Sequence, residues 1–176
     1  MKSETMKSRI ADALSEGKVD DLIQAIKDDH KDLKKFIKVM KDGDATSAQK
    51  KSAAQNFMSL LKSHSSSEEK ALYQPCLKVA KFRVMTDEGF VEHEVAARLM
   101  KKIAGTKSHD RWLAEVKVLA ELVEHHVDEE EKDFLPKVKK YFSTQKQESM
   151  ANRFFALRQA SQRNVSSKNA GVLGRV

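Results

Sequence analysis

Apolar residues recur every three or four positions along most of this chain, which is the signature of amphipathic helices. From about Val19 to Lys41 the series is Ile23, Ile26, Leu33, Ile37 and Met40, and the gap at position 30 is filled by a histidine. Asp42-Gly43-Asp44 then breaks the pattern. A second helix is expected from about Ser47 to Val79, with the stripe Phe57, Leu60, Leu61, His64, Glu68, Ala71, Leu72, and Pro75 should kink or end it. A third should start after Thr86, read as an N-cap, and end by Gly105, with the stripe Phe90, His93, Ala96, Ala97, Met100, Ile103. The fourth runs from about Ser108 to Tyr141 with Trp112, Val116, Leu119, Val123, His126, Glu130 and Phe134, and Pro136 lies near its end. Short connections make consecutive helices antiparallel neighbours. The expected fold is therefore all-α: an up-down-up-down four-helix bundle over residues 19–142. Residues 1–18 are an N-terminal arm. Residues 143–176 form a basic, partly helical C-terminal tail, with a fifth helical segment at roughly Gln147–Arg163 and disorder beyond it.

Composition agrees with long helices: 6 Gly and 2 Pro in 176 residues, and only 6% aromatic. The single cysteine, Cys76, excludes an internal disulfide and fits a reducing compartment. MKSETMKSRI lacks the apolar run of a signal peptide, and no stretch approaches the length of a membrane span, so a cytoplasmic protein without a membrane partner is expected. The net charge is +7, and the segment from Ser143 to Val176 carries six Lys or Arg against Glu148 alone. Such a tail suits an acidic partner, protein or nucleic acid, or simply solvent.

Four of the six histidines, His30, His64, His93 and His126, each fall on the apolar stripe of a different helix. A stripe covers roughly three positions in seven, so chance alone rarely places all four. Glu68 follows His64 by four residues, as Glu130 follows His126. That spacing stacks each pair on one helix face. An ionised Glu in an apolar core is costly unless paired or bound to a cation, and neutral imidazole with carboxylate is a metal-ligand set. An internal repeat strengthens the reading: His64-Ser-Ser-Ser-Glu68-Glu69-Lys70 parallels His126-Val-Asp-Glu-Glu130-Glu131-Lys132, and Tyr73-Gln-Pro75 parallels Phe134-Leu-Pro136. Taken singly, a histidine on an apolar face is more often a satisfied core residue; Cys76, Met58, Met85 and Met100 read as packing, and so does Tyr73, which could also reach the site. Glu69, Glu131, Asp28, Asp29 and Glu92 read as solvated, or as partners of the ligands.

These motifs, Asp29-His30, His64-x-x-x-Glu68-Glu69, Glu92-His93 and His126-x-x-x-Glu130-Glu131, resemble the hemerythrin-like (HHE cation-binding) domain over about residues 20 to 142. The resemblance implies a non-haem site of two irons, with His30, His64, His93 and His126 as terminal ligands and Glu68 and Glu130 as bridging carboxylates. In the oxygen-carrying members the last carboxylate lies five residues after the histidine, which makes Glu131 the alternative to Glu130. Those members also carry two histidines four apart on the third helix, where this chain has Gly89 before and Ala97 after His93. One ligand is thus absent, its place open to water, Glu92 or a shifted carboxylate.

The implied function is binding or sensing of dioxygen or a related oxidant, with the tail as output. The alternatives are a di-iron enzyme acting on peroxide, nitric oxide or iron centres, and an iron-handling protein with a structural metal. Zinc or manganese could replace iron. No nucleophile–base pair or phosphate-binding loop occurs elsewhere, so any catalysis must come from the metal.

Overall fold

The computed structural model describes residues 21–173, with side chains through residue 161. The arm expected over residues 1–18 lies outside the described residues. Helix α1 (Leu22–Lys41) opens on Asp21, whose carboxylate accepts the Ile23 N–H at 2.9 Å. It stops at Asp42, whose Oδ1 accepts from the Asp44 N–H and so turns the chain. Helix α2 (Ser47–Glu68) starts with a capping box between Thr46 and Gln49. A widened π turn (Glu69–Tyr73) leads into the short α3 (Gln74–Leu77). After a 3-10 turn (Ala80–Phe82) comes α4 (Arg83–Gly105). Helix α5 (His109–Glu129), capped by Ser108, passes through a second π turn (Glu130–Phe134) into α6 (Leu135–Tyr141). Helix α7 (Thr144–Leu173) follows.

Three details differ from the sequence expectation. Pro75 and Pro136 each follow a π turn, and the helix runs on past them to Leu77 and Tyr141. Proline has no N–H to give and its ring presses on the carbonyl four residues back, and a widened turn relieves both. Thr86 is not an N-cap. It is buried inside α4, which the 3-10 turn and the anchored Phe82 start three residues earlier. The fifth helical segment is longer than Gln147–Arg163 and continues where disorder was expected. Thr144–Leu173 contains no proline and is rich in Ala, Gln and Arg.

Ion pairs fix the antiparallel order. Lys139 at the end of α6 reaches Asp21 before α1 at 3.3 Å, while Lys41 at the end of α1 meets Glu124 in α5 at 2.5 Å. Helix α1 packs on α2 and α5, α4 packs on α5, and α7 lies across α1 and α2. The core has two halves. Leu33, Ile37, Phe57, Leu61, Leu119 and Val123 form one. Leu22, Ile26, Leu72, Phe82 and Leu135 form the other, together with Met150, Ala151 and Phe154 of α7. Burying a side chain such as Phe154 contributes roughly 1.5–3 kcal/mol, so α7 is part of the folded unit. The positions along each helix between the two halves are polar: His30, His64 with Glu68, His93, and His126 with Glu130.

Candidate metal centre

The structure brings all six expected site residues together, and all six are buried. Each helix contributes through its register. On α2 and α5 the i,i+4 spacing stacks His64 over Glu68 and His126 over Glu130. On α1 and α4 single histidines fill the gap in an apolar stripe.

All four histidines point Nε2 inward. His30 Nε2 lies 3.3 Å from Glu130 Oε2, and His64 Nε2 lies 3.4 Å from Glu68 Oε2. His93 Nε2 is 3.6 Å from the same Glu68 oxygen and 3.2 Å from His126 Nε2. All four Nδ1 atoms point outward to a carboxylate. His30 pairs with Glu131 at 3.1 Å, His64 with Asp29 at 3.1 Å, His93 with Glu69 at 3.1 Å, and His126 with Glu92 at 2.5 Å. An ionised carboxylate only accepts, so in the neutral ring the hydrogen sits on Nδ1 and the Nε2 lone pair faces inward. Glu131 and Glu92, the alternatives to the expected ligands, each lie on the far side of a histidine.

The inner donors fall into two groups that share Glu68. His30, His64, Glu68 and Glu130 bring one atom each within 4.8 Å of one another, and so do Glu68, His93 and His126. His30 Nε2, His64 Nε2, both oxygens of Glu68 and Glu130 Oε2 have no hydrogen-bond partner. Buried polar atoms are rarely left so. A divalent cation among His30, His64, Glu68 and Glu130 would satisfy them with the donor types it prefers, and the residues therefore fit a metal centre.

The histidines are tuned by this enclosure. Burial works against a charged His64, but the Glu68 charge and the Asp29 hydrogen bond outweigh it and hold the ring up at about 10. His30 and His126 are raised too. Burial opposes the shift in both, and the overriding partners are Glu130 and Glu131 for His30 and Glu92 for His126. Burial should raise Glu68, yet His64 beside it holds its carboxyl well below the usual range. The His30 hydrogen bond keeps Glu131 at about 2. Burial pushes the Cys76 thiol up to about 12, consistent with an inert packing residue.

Two participants lie outside the expected ligand set. Tyr73 stacks on His93 with ring centroids 5.4 Å apart, and its hydroxyl donates to Glu130 Oε1 at 3.0 Å. A Cβ on Gly89 would meet that hydroxyl at 2.7 Å, so Tyr73 fills the space beside Gly89, where water, Glu92 or a shifted carboxylate was expected. The glycine in an otherwise good helix was the available signal. The second is Arg158 of α7. It is buried, donates to Asp29 Oδ1 at 2.9 Å and also reaches Ser63 Oγ. Asp29 thereby joins Arg158 to His64. Arg158 looked like one more cation of a solvated tail, and nothing local in the sequence distinguishes it.

The family model for the hemerythrin HHE cation-binding domain matches residues 21–138. The chain belongs to this family. The match spans α1 to α6 and includes every residue of the His/Glu cluster. The chain matches no curated protein and no solved structure closely enough to carry an argument. Among the described residues no helix of this HHE protein is long and apolar enough to cross a membrane.

Proposed function

We propose that this HHE domain holds two non-haem irons and binds or senses dioxygen or a related small oxidant, in a cytoplasmic setting. Iron would supply the reversible oxidant binding that no side chain provides. The observation that carries the sensing half is the line Arg158–Asp29–His64. It joins a candidate ligand to α7, and Phe154 of α7 packs edge-on to the same histidine, with centroids 6.2 Å apart. A change in how His64 is held thus bears on how α7 is seated. The exposed Lys146 and Arg153 of α7 offer an acidic partner, protein or nucleic acid, a surface to read.

The test is anaerobic loading with ferrous iron, an absorption spectrum before and after air, and hydrogen exchange of α7 in both states. An oxygen-dependent band with altered exchange around Phe154 and Arg158 is expected. A band without any change in α7 would remove the output role.

One observation favours a second reading, an enzyme acting on peroxide or nitric oxide. A cavity of about 360 Å³ reaches His126, Glu130 and Tyr73 from the surface. Sustained turnover of either compound would select it. A metal-loaded protein inert to all of them would leave the iron-handling reading.

A further inference from the structure

The cavity that reaches the inner cluster is strongly acidic. Its inner end is formed by His126, Glu130 and Tyr73. Toward solvent the walls carry Glu88, Glu92, Glu129 and Asp133, opposed by Lys137 alone. This contrasts with the +7 charge of the whole chain. Charges farther off than about 8 Å are largely screened at physiological salt, so an ion at the mouth feels the carboxylates more than the distant lysines.

Two of those wall residues, Glu92 and Glu129, belong with His125 beside them to a third group of donors. Glu92, His125 and Glu129 bring one donor atom each within 4.8 Å of one another. His125 and Glu129 are exposed and stacked on α5, with Nε2 and Oε2 3.4 Å apart. Glu92 is half-buried on α4 and holds His126 Nδ1. The group therefore runs from solvent to the back of an inner histidine. Glu130 at the inner end is only 4% exposed, and its Oε2 faces His30 in the inner cluster. The cavity leads from the outer donors to a carboxylate suited to a cation.

We infer that Glu92, His125 and Glu129 form an outer docking site for a divalent transition-metal ion, from which the acidic cavity passes the ion to the inner cluster. The inference rests on the reading that the inner cluster binds metal. An imidazole with two carboxylates suits ferrous iron, cobalt or manganese. Solvent exposure of two of the three donors keeps binding weak and exchange fast, as a transit site requires. The same field repels anions, so neutral oxidants have easier access to the inner cluster than anionic ones.

The experiment uses the full chain freed of metal and titrated with cobalt(II), followed by absorbance at equilibrium and by stopped flow. The wild type should bind the inner equivalents and one further, weaker equivalent. In the His125→Ala, Glu129→Gln double variant the weak equivalent should vanish and inner loading should slow about tenfold, the low end of electrostatic focusing. The final inner content should be unchanged. Glu94→Gln, an exposed position on α4 paired with Arg98, controls for loss of a surface charge and should load like wild type. Equal loading rates and an intact weak equivalent in the double variant would overturn the inference while leaving the inner centre standing. A loss of inner content in that variant would also overturn it, because the residues would then belong to the inner centre. A wild type that takes up no cobalt would sink both readings.

Discussion

His126 shows how one side chain is given two jobs. Nδ1 is held by Glu92 and Nε2 meets His93 across the inner space. Replacing it with alanine removes an inner donor and leaves Glu92 without its partner. His126→Ala should lose bound metal, most sharply from the group that contains Glu68 and His93, and full metal content by elemental analysis would contradict the assignment. Protons give a second check. A metal ion and a proton compete for each Nε2, and His64 is held up at about 10 with His30 and His126 also raised. Metal binding near pH 7 should therefore release protons into weak buffer, and apparent affinity should rise with pH. Stability of the metal-free protein should run the other way. The raised imidazoles stabilise it fully below their unfolded value of about 6.5 and stop doing so as pH rises through their folded values. Denaturation midpoints that climb between pH 7 and pH 10 would contradict this. At this scale the inner six were legible because a stripe and an i,i+4 step settle which way a side chain faces. For Asp29 and Tyr73 the sequence left a role at the site open beside a solvated or packing one, because that role depends on which neighbour stands opposite.

Among the elements, the two π turns explain why the internal repeat is loose. Aligned on the histidines the repeat offset is one residue longer than aligned on the prolines. Each π turn ends two residues before its proline and keeps the proline spacing, so Glu68 closes α2 while Glu130 opens the second π turn. Both face inward, yet Glu68 belongs to both donor groups and Glu130, tied by Tyr73, to one. The sequence shows both prolines but not how the chain relieves them. Gly89 in α4 allows a test with competing terms. Alanine for glycine inside a helix ordinarily gains roughly 0.5–1 kcal/mol, whereas crowding a packed site costs typically 1–3 kcal/mol. With Tyr73 at 2.7 Å from the new Cβ, Gly89→Ala should lower the denaturation midpoint, and a raised midpoint would show that Tyr73 yields freely. Arg158 in α7 supplies the other element-scale test. Breaking a buried ion pair from one side costs about 3 kcal/mol or more. Arg158→Met should destabilise the metal-free chain by that order and weaken cobalt binding through Asp29 and His64. Unchanged cobalt affinity would leave α7 a merely structural neighbour.

For the whole molecule, a polar layer divides one hydrophobic core into two halves, and four helices and a fifth meet around it. Periodicity made the four helices legible, and a fifth at roughly Gln147–Arg163, but not its full length. Charge counting says nothing of how that helix is seated, while Met150, Phe154 and Arg158 tie the first part of α7 to α1 and α2. The central claim is that the polar layer is a metal centre. It is tested most directly by the metal content of the purified chain after anaerobic iron loading, beside the Glu68→Ala, Glu130→Ala double variant. The account predicts about two irons per chain in the wild type. The double variant should hold little or none, with its helices retained by circular dichroism. A wild type that binds no iron, or a double variant that binds as much, would contradict it.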